Sequence, residues 1–339
     1  MKKIYKQILL ALSVLLMVGC QNTNTKMKKV AIIQYMEHAS LDTIKASFDQ
    51  QMENLGYKDG ENVEYIFKNA QGDNNIAASI TQTFQSEDAD VVVAIATPVA
   101  QSVASLSKTT PIVFAAVSDP IGAKLTTSLE HPDKNITGTS DEIQVDLILD
   151  RALQLQPDLK TLGVIYNKGE ANSVTNIQKA KDYAKTHHLT IKEATITNVN
   201  EVQSAIDVLA NQCDAVFAPN DNTVASAMNV VSHACIEAKV PLYVGADSMV
   251  QEGGFLSVGI NYEDLGKETA NMVDQVLNGT PVSDIPVKVF KDDLNVYVNE
   301  DVMNYARQSG KLVLDYQAPD ALADACNSFY DQVWEAEQK

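Results

Sequence analysis

The chain has 339 residues, a formal net charge of −18, 45% hydrophobic and 6% aromatic residues, and four cysteines. That length is enough for two domains with sizeable cores. The acidic balance argues against nucleic acid and against adsorption to anionic lipid as partners, and no low-complexity tract or internal repeat stands out.

At the start, Lys2, Lys3 and Lys6 precede an apolar run over 8–18 and the pair Gly19-Cys20. The run is shorter than the roughly 20 apolar residues of a spanning helix, so 1–19 is expected to be a cleaved export leader. A small residue directly before cysteine is the bacterial lipoprotein pattern, in which the Cys20 thiol is acylated and becomes the new N-terminus; Met17 stands where leucine is commonest. Residues 20–28 are polar without apolar periodicity, as expected of a tether. Loss of the leader's three lysines takes the charge to −21. The expected location is the extracytoplasmic face of the cell membrane, with only the lipid touching it.

From residue 29, apolar runs of strand length alternate with segments of helical period, the pattern of a mainly parallel sheet covered by helices. Strands are expected at 30–34, 63–67, 90–96 and 111–117, with helices at 40–55, 74–85 and from Thr97-Pro98 through 106. The run 90–96, Asp-Val-Val-Val-Ala-Ile-Ala, is the clearest buried strand.

After a turn-rich crossing at 135–140 the same rhythm restarts, with strands at 161–166, 189–194, 215–218, 241–244 and 256–259. Asn261-Tyr262 then opens an amphipathic helix to 277, followed by short strands at 287–290 and 295–298. This order predicts an α/β fold of two doubly wound parallel-sheet domains joined by a multi-strand hinge. One lobe is expected from 29–138 plus 262–285 and the other from 139–261 plus 286–315, with an outer extension at 316–339. Cys213, Cys235 and Cys326 are odd in number and lack CxxC spacing, so buried free thiols are expected, a Cys213–Cys235 disulfide being the alternative.

In open α/β sheets ligands meet the loops at the carboxyl ends of the strands. That rule selects Gln34 and Tyr35 through His38, Thr97-Pro98, Ser118-Asp119, Asn220-Asp221-Asn222, Asp247 and Tyr262. Pro98 near the start of a helix leaves free N–H groups beside the Thr97 hydroxyl, a site suited to a carboxylate. Asp119, Asp221 and Asp247 each close a strand, where a carboxylate pairs with an ammonium group or caps a turn. Tyr35 and Tyr262 are placed to wall a flat ligand.

Enzyme readings find little support: no GxGxxG follows a strand, and there is no phosphate loop and no GxSxG elbow. His38, His131, His187, His188 and His233 are scattered, and only His38 falls at the expected cleft. Neither a cofactor nor a metal is expected.

The segments Gln34-Tyr-Met-Glu-His38-Ala-Ser-Leu-Asp42, Ala96-Thr-Pro-Val-Ala-Gln101, Pro111-Ile-Val-Phe-Ala-Ala-Val-Ser-Asp-Pro120 and Asn135-Ile-Thr-Gly138 together carry a resemblance, as does the stretch 262–266. Over about 30–299 the chain resembles the ABC transporter substrate-binding family that includes the tryptophan- and tyrosine-binding lipoproteins of Gram-positive bacteria. Ala39 departs from the family's frequent proline, and the stretch after Tyr316 has no counterpart. The resemblance implies a type I periplasmic-binding fold that closes on a small molecule and delivers it to a membrane permease, acting as a monomer. It further implies an aromatic amino acid whose α-carboxylate meets Thr97 and Ser118-Asp119, whose ammonium meets Asp221 or Asp247, and whose side chain lies near Tyr35 and Tyr262. Alternatives are a branched amino acid, a nucleoside or a sugar, or a surface adhesin or sensory lipoprotein. Trp334, the one tryptophan, lies in the outer extension, which weighs against a sugar.

Overall fold

The computed structural model describes residues 27–290, 294–299 and 302. The leader, Cys20, the tether up to 26, Cys326 and the extension lie outside the described residues. Among the described residues two six-stranded sheets form, with helices on their faces.

The first sheet has the order β2 (Val63–Asn69), β1 (Lys28–Gln34), β3 (Val91–Ile95), β4 (Ile112–Ala115), β5 (Ile136–Ser140), β11 (Lys288–Val289), all parallel. The second repeats the plan: β7 (Thr190–Ile196), β6 (Thr161–Asn167), β8 (Ala215–Ala218), β9 (Leu242–Val244), β10 (Leu256–Gly259), then β12 (Asn295–Val298), which runs antiparallel to β10. In each sheet the second strand in the chain lies outside the first, so the winding reverses between β1 and β3 and between β6 and β8. Crevices at such switch points are where open α/β sheets bind ligands.

Strand burial follows the sequence pattern. Val30 to Ile33 and Val91 to Ile95 are fully buried, as a strand covered on both faces requires. The helices of the first lobe are α1 (Ala39–Asn54), α2 (Asn74–Ser86), α3 (Thr97–Val103) and, after the return, α10 (Tyr262–Leu277). Those of the second are α4 (Val145–Leu155), α5 (Ala171–Thr186), α6 (Val202–Ala210), the short α7 (Asn222–Ala225), α8 (Met228–Ala238) and α9 (Asp247–Gln251). Asn261 caps α10 by accepting from the amides of Glu263 (2.7 Å) and Asp264 (3.3 Å), and those two acids sit at the positive end of the helix. Gly266 lets α10 press against α1, since a Cβ there would stand 2.5 Å from the carbonyl of Ile44.

The chain crosses between the sheets after β5, after β10 and between β11 and β12. Two details correct the expected lobe limits. Ser140 and its neighbours belong to β5 of the first sheet, so the crossing lies a few residues beyond 138. Residues 286–290, assigned to the second lobe from sequence order, join the first: Thr137 Oγ1 donates to the carbonyl of Ile285 (2.7 Å), Val287 donates to the carbonyl of Leu129 (2.7 Å), and β11 pairs with β5. Cys213 and Cys235 are buried free thiols, and burial pushes the Cys235 thiol up to about 12.

Candidate ligand-binding cleft

A cavity of about 310 Å³, its open mouth included, lies between the lobes at both switch points. From the first lobe it takes His38, Ser40 and Leu41 at the β1–α1 corner and Ala116 after β4; from the second, Asn172 of α5, Asn220 after β8, Asn222 and Ala225 of α7, and Met249 of α9. Asp141 and Tyr262 complete it from the first two crossings.

Asp141 is the one carboxylate among the described residues that line the cavity. It is 5% exposed and accepts three hydrogen bonds, from Ser118 Oγ (2.9 Å), Asn220 Nδ2 (2.7 Å) and Tyr262 Oη (3.1 Å). All three donors are neutral, and burial raises its pKa from the ordinary carboxylate value despite them. A cationic group entering the cavity would favour the ionised form of Asp141, and no lysine or arginine is among the described lining residues to compete with it.

The lobes are bridged across the cleft. Asn220 of the second donates to Ser118 of the first (2.9 Å), His38 Nε2 meets Asn222 Oδ1 (3.1 Å), and the hydroxyls of Ser40 and Ser248 are hydrogen-bonded. Asn220 is held in turn, its Oδ1 accepting from Asn176 Nδ2 (2.8 Å) and its carbonyl from Asn172 Nδ2 (3.0 Å). Gly245 makes this loop possible, because a Cβ at 245 would lie 2.5 Å from the amide nitrogen of Asn220.

Of the residues selected from sequence, Ser118, Asn220 and Tyr262 meet at Asp141. His38 and Asn222, also selected, line the cavity and bridge the lobes. The remaining ones do not line it. Gln34 ties the end of β1 to α1, donating to the carbonyl of Met36 (2.8 Å) and to Asp42 (2.7 Å). Tyr35 donates to the carbonyl of Gly72 (3.0 Å), and burial raises its pKa. Asp119 accepts from the amide of Gly122 (2.7 Å), a turn contact. Thr97 and Pro98 are buried at the start of α3 but do not line the cavity, and the Thr97 hydroxyl has no protein partner.

Asp221 and Asp247, the two expected ammonium partners, are not cavity residues either. Asp221 is fully buried, accepting from the amides of Asn167 (2.6 Å) and Val224 (2.8 Å). With Glu170, which accepts from the amides of Asn222 (3.0 Å) and Thr223 (3.0 Å), it caps α7. Burial and the neighbouring Glu170 raise the Asp221 pKa. Asp247 accepts from the amide of Ser248 (2.7 Å), and burial lifts its pKa to about 6.

Sequence reasoning missed Asp141 and Asn172. Residues 135–140 carry a turn-like composition that hides β5, whose carboxyl end leads to Asp141, and Asn172 follows the loop at the end of β6.

The chain over 29–307 matches the family model described as ABC transporter substrate binding protein. It belongs to that family. A tyrosine-binding protein from Clostridioides difficile is 38% identical over 278 residues, 82% of this chain and 80% of the relative. A Streptococcus pneumoniae ABC domain solved in complex with L-Trp is 33% identical with a TM-score of 0.82, covering 89% of this chain and 99% of that one. A ligand-free, open substrate-binding protein with adhesive properties from Clostridium difficile is 40% identical, yet its TM-score is 0.63 over 83% of this chain and 95% of that one. The three bridges across the cleft hold the two lobes against one another, a closed arrangement. As a member of this family the chain is a substrate-binding component of an ABC transporter and not an enzyme. None of the described helices is long and apolar enough to cross a membrane.

Proposed function

We propose that this substrate-binding protein captures an aromatic amino acid outside the cytoplasm, tethered by an acylated Cys20, and hands it to a membrane permease. The observation that carries the ligand class is Asp141, a buried cavity carboxylate with neutral donors only, which suits an α-ammonium group. Asn172 Oδ1, buried in the wall of the same cavity and without a partner among the described residues, offers a second acceptor to a ligand donor. Leu41, Ala225 and Met249 offer apolar wall to a side chain. The tyrosine-binding relative and the L-Trp complex support the aromatic class.

Asp141 also lies on the first crossing and bonds to Tyr262 on the second. An ammonium bound there ties both hinge strands to the closed arrangement, so binding and closure become one event.

A thermal-shift panel of the mature protein tests the ligand class. A ligand at a hundred times its dissociation constant adds about 2.7 kcal/mol of stability, a shift of several degrees. Tyrosine or tryptophan is expected to give it, and nucleosides, sugars and branched amino acids are not; a shift with one of these alone overturns the aromatic reading. Release of a Cys20→Ser variant into the medium tests the anchor.

A further inference from the structure

His38 carries a buried acceptor that the binding of an ammonium group does not use. Its Nε2 meets Asn222 Oδ1 at 3.1 Å, while Nδ1 is buried without a protein partner. Glu170 fixes which atoms these are. The side-chain amide of Asn222 meets the carboxylate of Glu170 with its other end, and a carboxylate only accepts, so that end is the NH2 and the end facing His38 is the carbonyl oxygen. A carbonyl oxygen accepts, so His38 Nε2 bears the proton. Burial lowers the imidazole pKa, against smaller opposing effects of Asn222 and Asp42, and a neutral ring protonated on Nε2 leaves Nδ1 a bare lone pair. The bridges from His38 to Asn222 and from Ser40 to Ser248 bring the apolar wall residues Leu41, Ala225 and Met249 to this part of the cleft.

We propose that His38 Nδ1 reads the side chain of the ligand, accepting the O–H of a phenol or the N–H of an indole, and so favours aromatic amino acids with a ring donor over phenylalanine. This rests on the aromatic amino acid reading above. A ligand lacking the donor closes the cleft over an acceptor shut off from both water and partner, and sites built to receive a hydrogen bond reject such analogues strongly.

The test is calorimetry with four ligands: tyrosine, phenylalanine, tryptophan and N1-methyltryptophan. Phenylalanine is expected to bind about tenfold or more below tyrosine, and N1-methyltryptophan likewise below tryptophan. Equal binding of all four overturns the proposal alone; binding of none overturns the aromatic reading and the proposal with it. His38→Phe then separates reading from bridging. Loss of the contact to Asn222 weakens every ligand by the same factor, whereas loss of the acceptor brings the tyrosine-to-phenylalanine ratio to within about threefold. A ratio unchanged in His38→Phe, or one that collapses in Asn172→Ala instead, assigns the ring donor to another residue and refutes the proposal. The wild-type panel decides the matter even if that variant fails to fold.

Discussion

Replacing Asp141 with asparagine separates ligand pairing from architecture. The side chain is 5% exposed, and its three neighbours, Ser118, Asn220 and Tyr262, are neutral donors. An asparagine keeps most of this arrangement: its Oδ1 accepts from Asn220 and Tyr262, and its NH2 can donate to the Ser118 oxygen. The loss is at most one neutral hydrogen bond, about 1 kcal/mol. Against it stands a gain, because burial raises the Asp141 pKa and its ionised form therefore destabilises the ligand-free fold at neutral pH. The ligand-free melting temperature should change little or rise. Binding should change greatly, because an ammonium enclosed without its counter-charge loses about 3–5 kcal/mol, or roughly 10²–10⁴ in affinity. Calorimetry with tyrosine and tryptophan, beside melts without ligand, reads both effects. Affinity within about threefold of wild type would refute the ammonium assignment, and a large fall in ligand-free stability would refute the claim that the fold does not depend on this charge.

Gly245→Ala places a Cβ 2.5 Å from the Asn220 amide nitrogen and 2.8 Å from the carbonyl carbon of Pro219. It should destabilise the fold by about 1–3 kcal/mol and weaken ligand binding through Asn220, as denaturant titration and calorimetry would show; wild-type values in both would contradict the close approach. The buried acids also set a pH dependence. Burial lifts Asp247 to about 6, and burial with Glu170 raises Asp221, whereas unfolded aspartate titrates near 3.9. The unfolded chain gives up these protons first, so their contribution is whole below about pH 4 and is lost as pH rises through the folded values. The ligand-free melting temperature should therefore fall between pH 5 and pH 8, with a shallower slope in Asp247→Asn; an unchanged slope would count against a raised Asp247.

The sequence by itself determined the two βα series, their strand ends and hence the position of the cleft. Runs such as Val91 to Ile95 cannot be solvated on either face, and the loops at their carboxyl ends follow from the winding. Tertiary structure alone decided which polar residues turn into the cleft. Asp119, Asp221 and Asp247 sit at strand ends, as does Asp141, but the first three have backbone amides within reach in their own turns or helix starts and are occupied there, Asp221 as a helix cap. Asp141 is met instead by side chains from β4's end, β8's end and the return helix, segments up to 121 residues away in the chain. Its strand was hidden for the same reason: Ile136–Ser140 contains a glycine and three hydroxyl residues, and its extended form comes from pairing with β4 on one side and β11 on the other. Capping and ligand binding draw on the same short polar side chains, so composition marks where they stand. Only the surrounding chain fixes what they face.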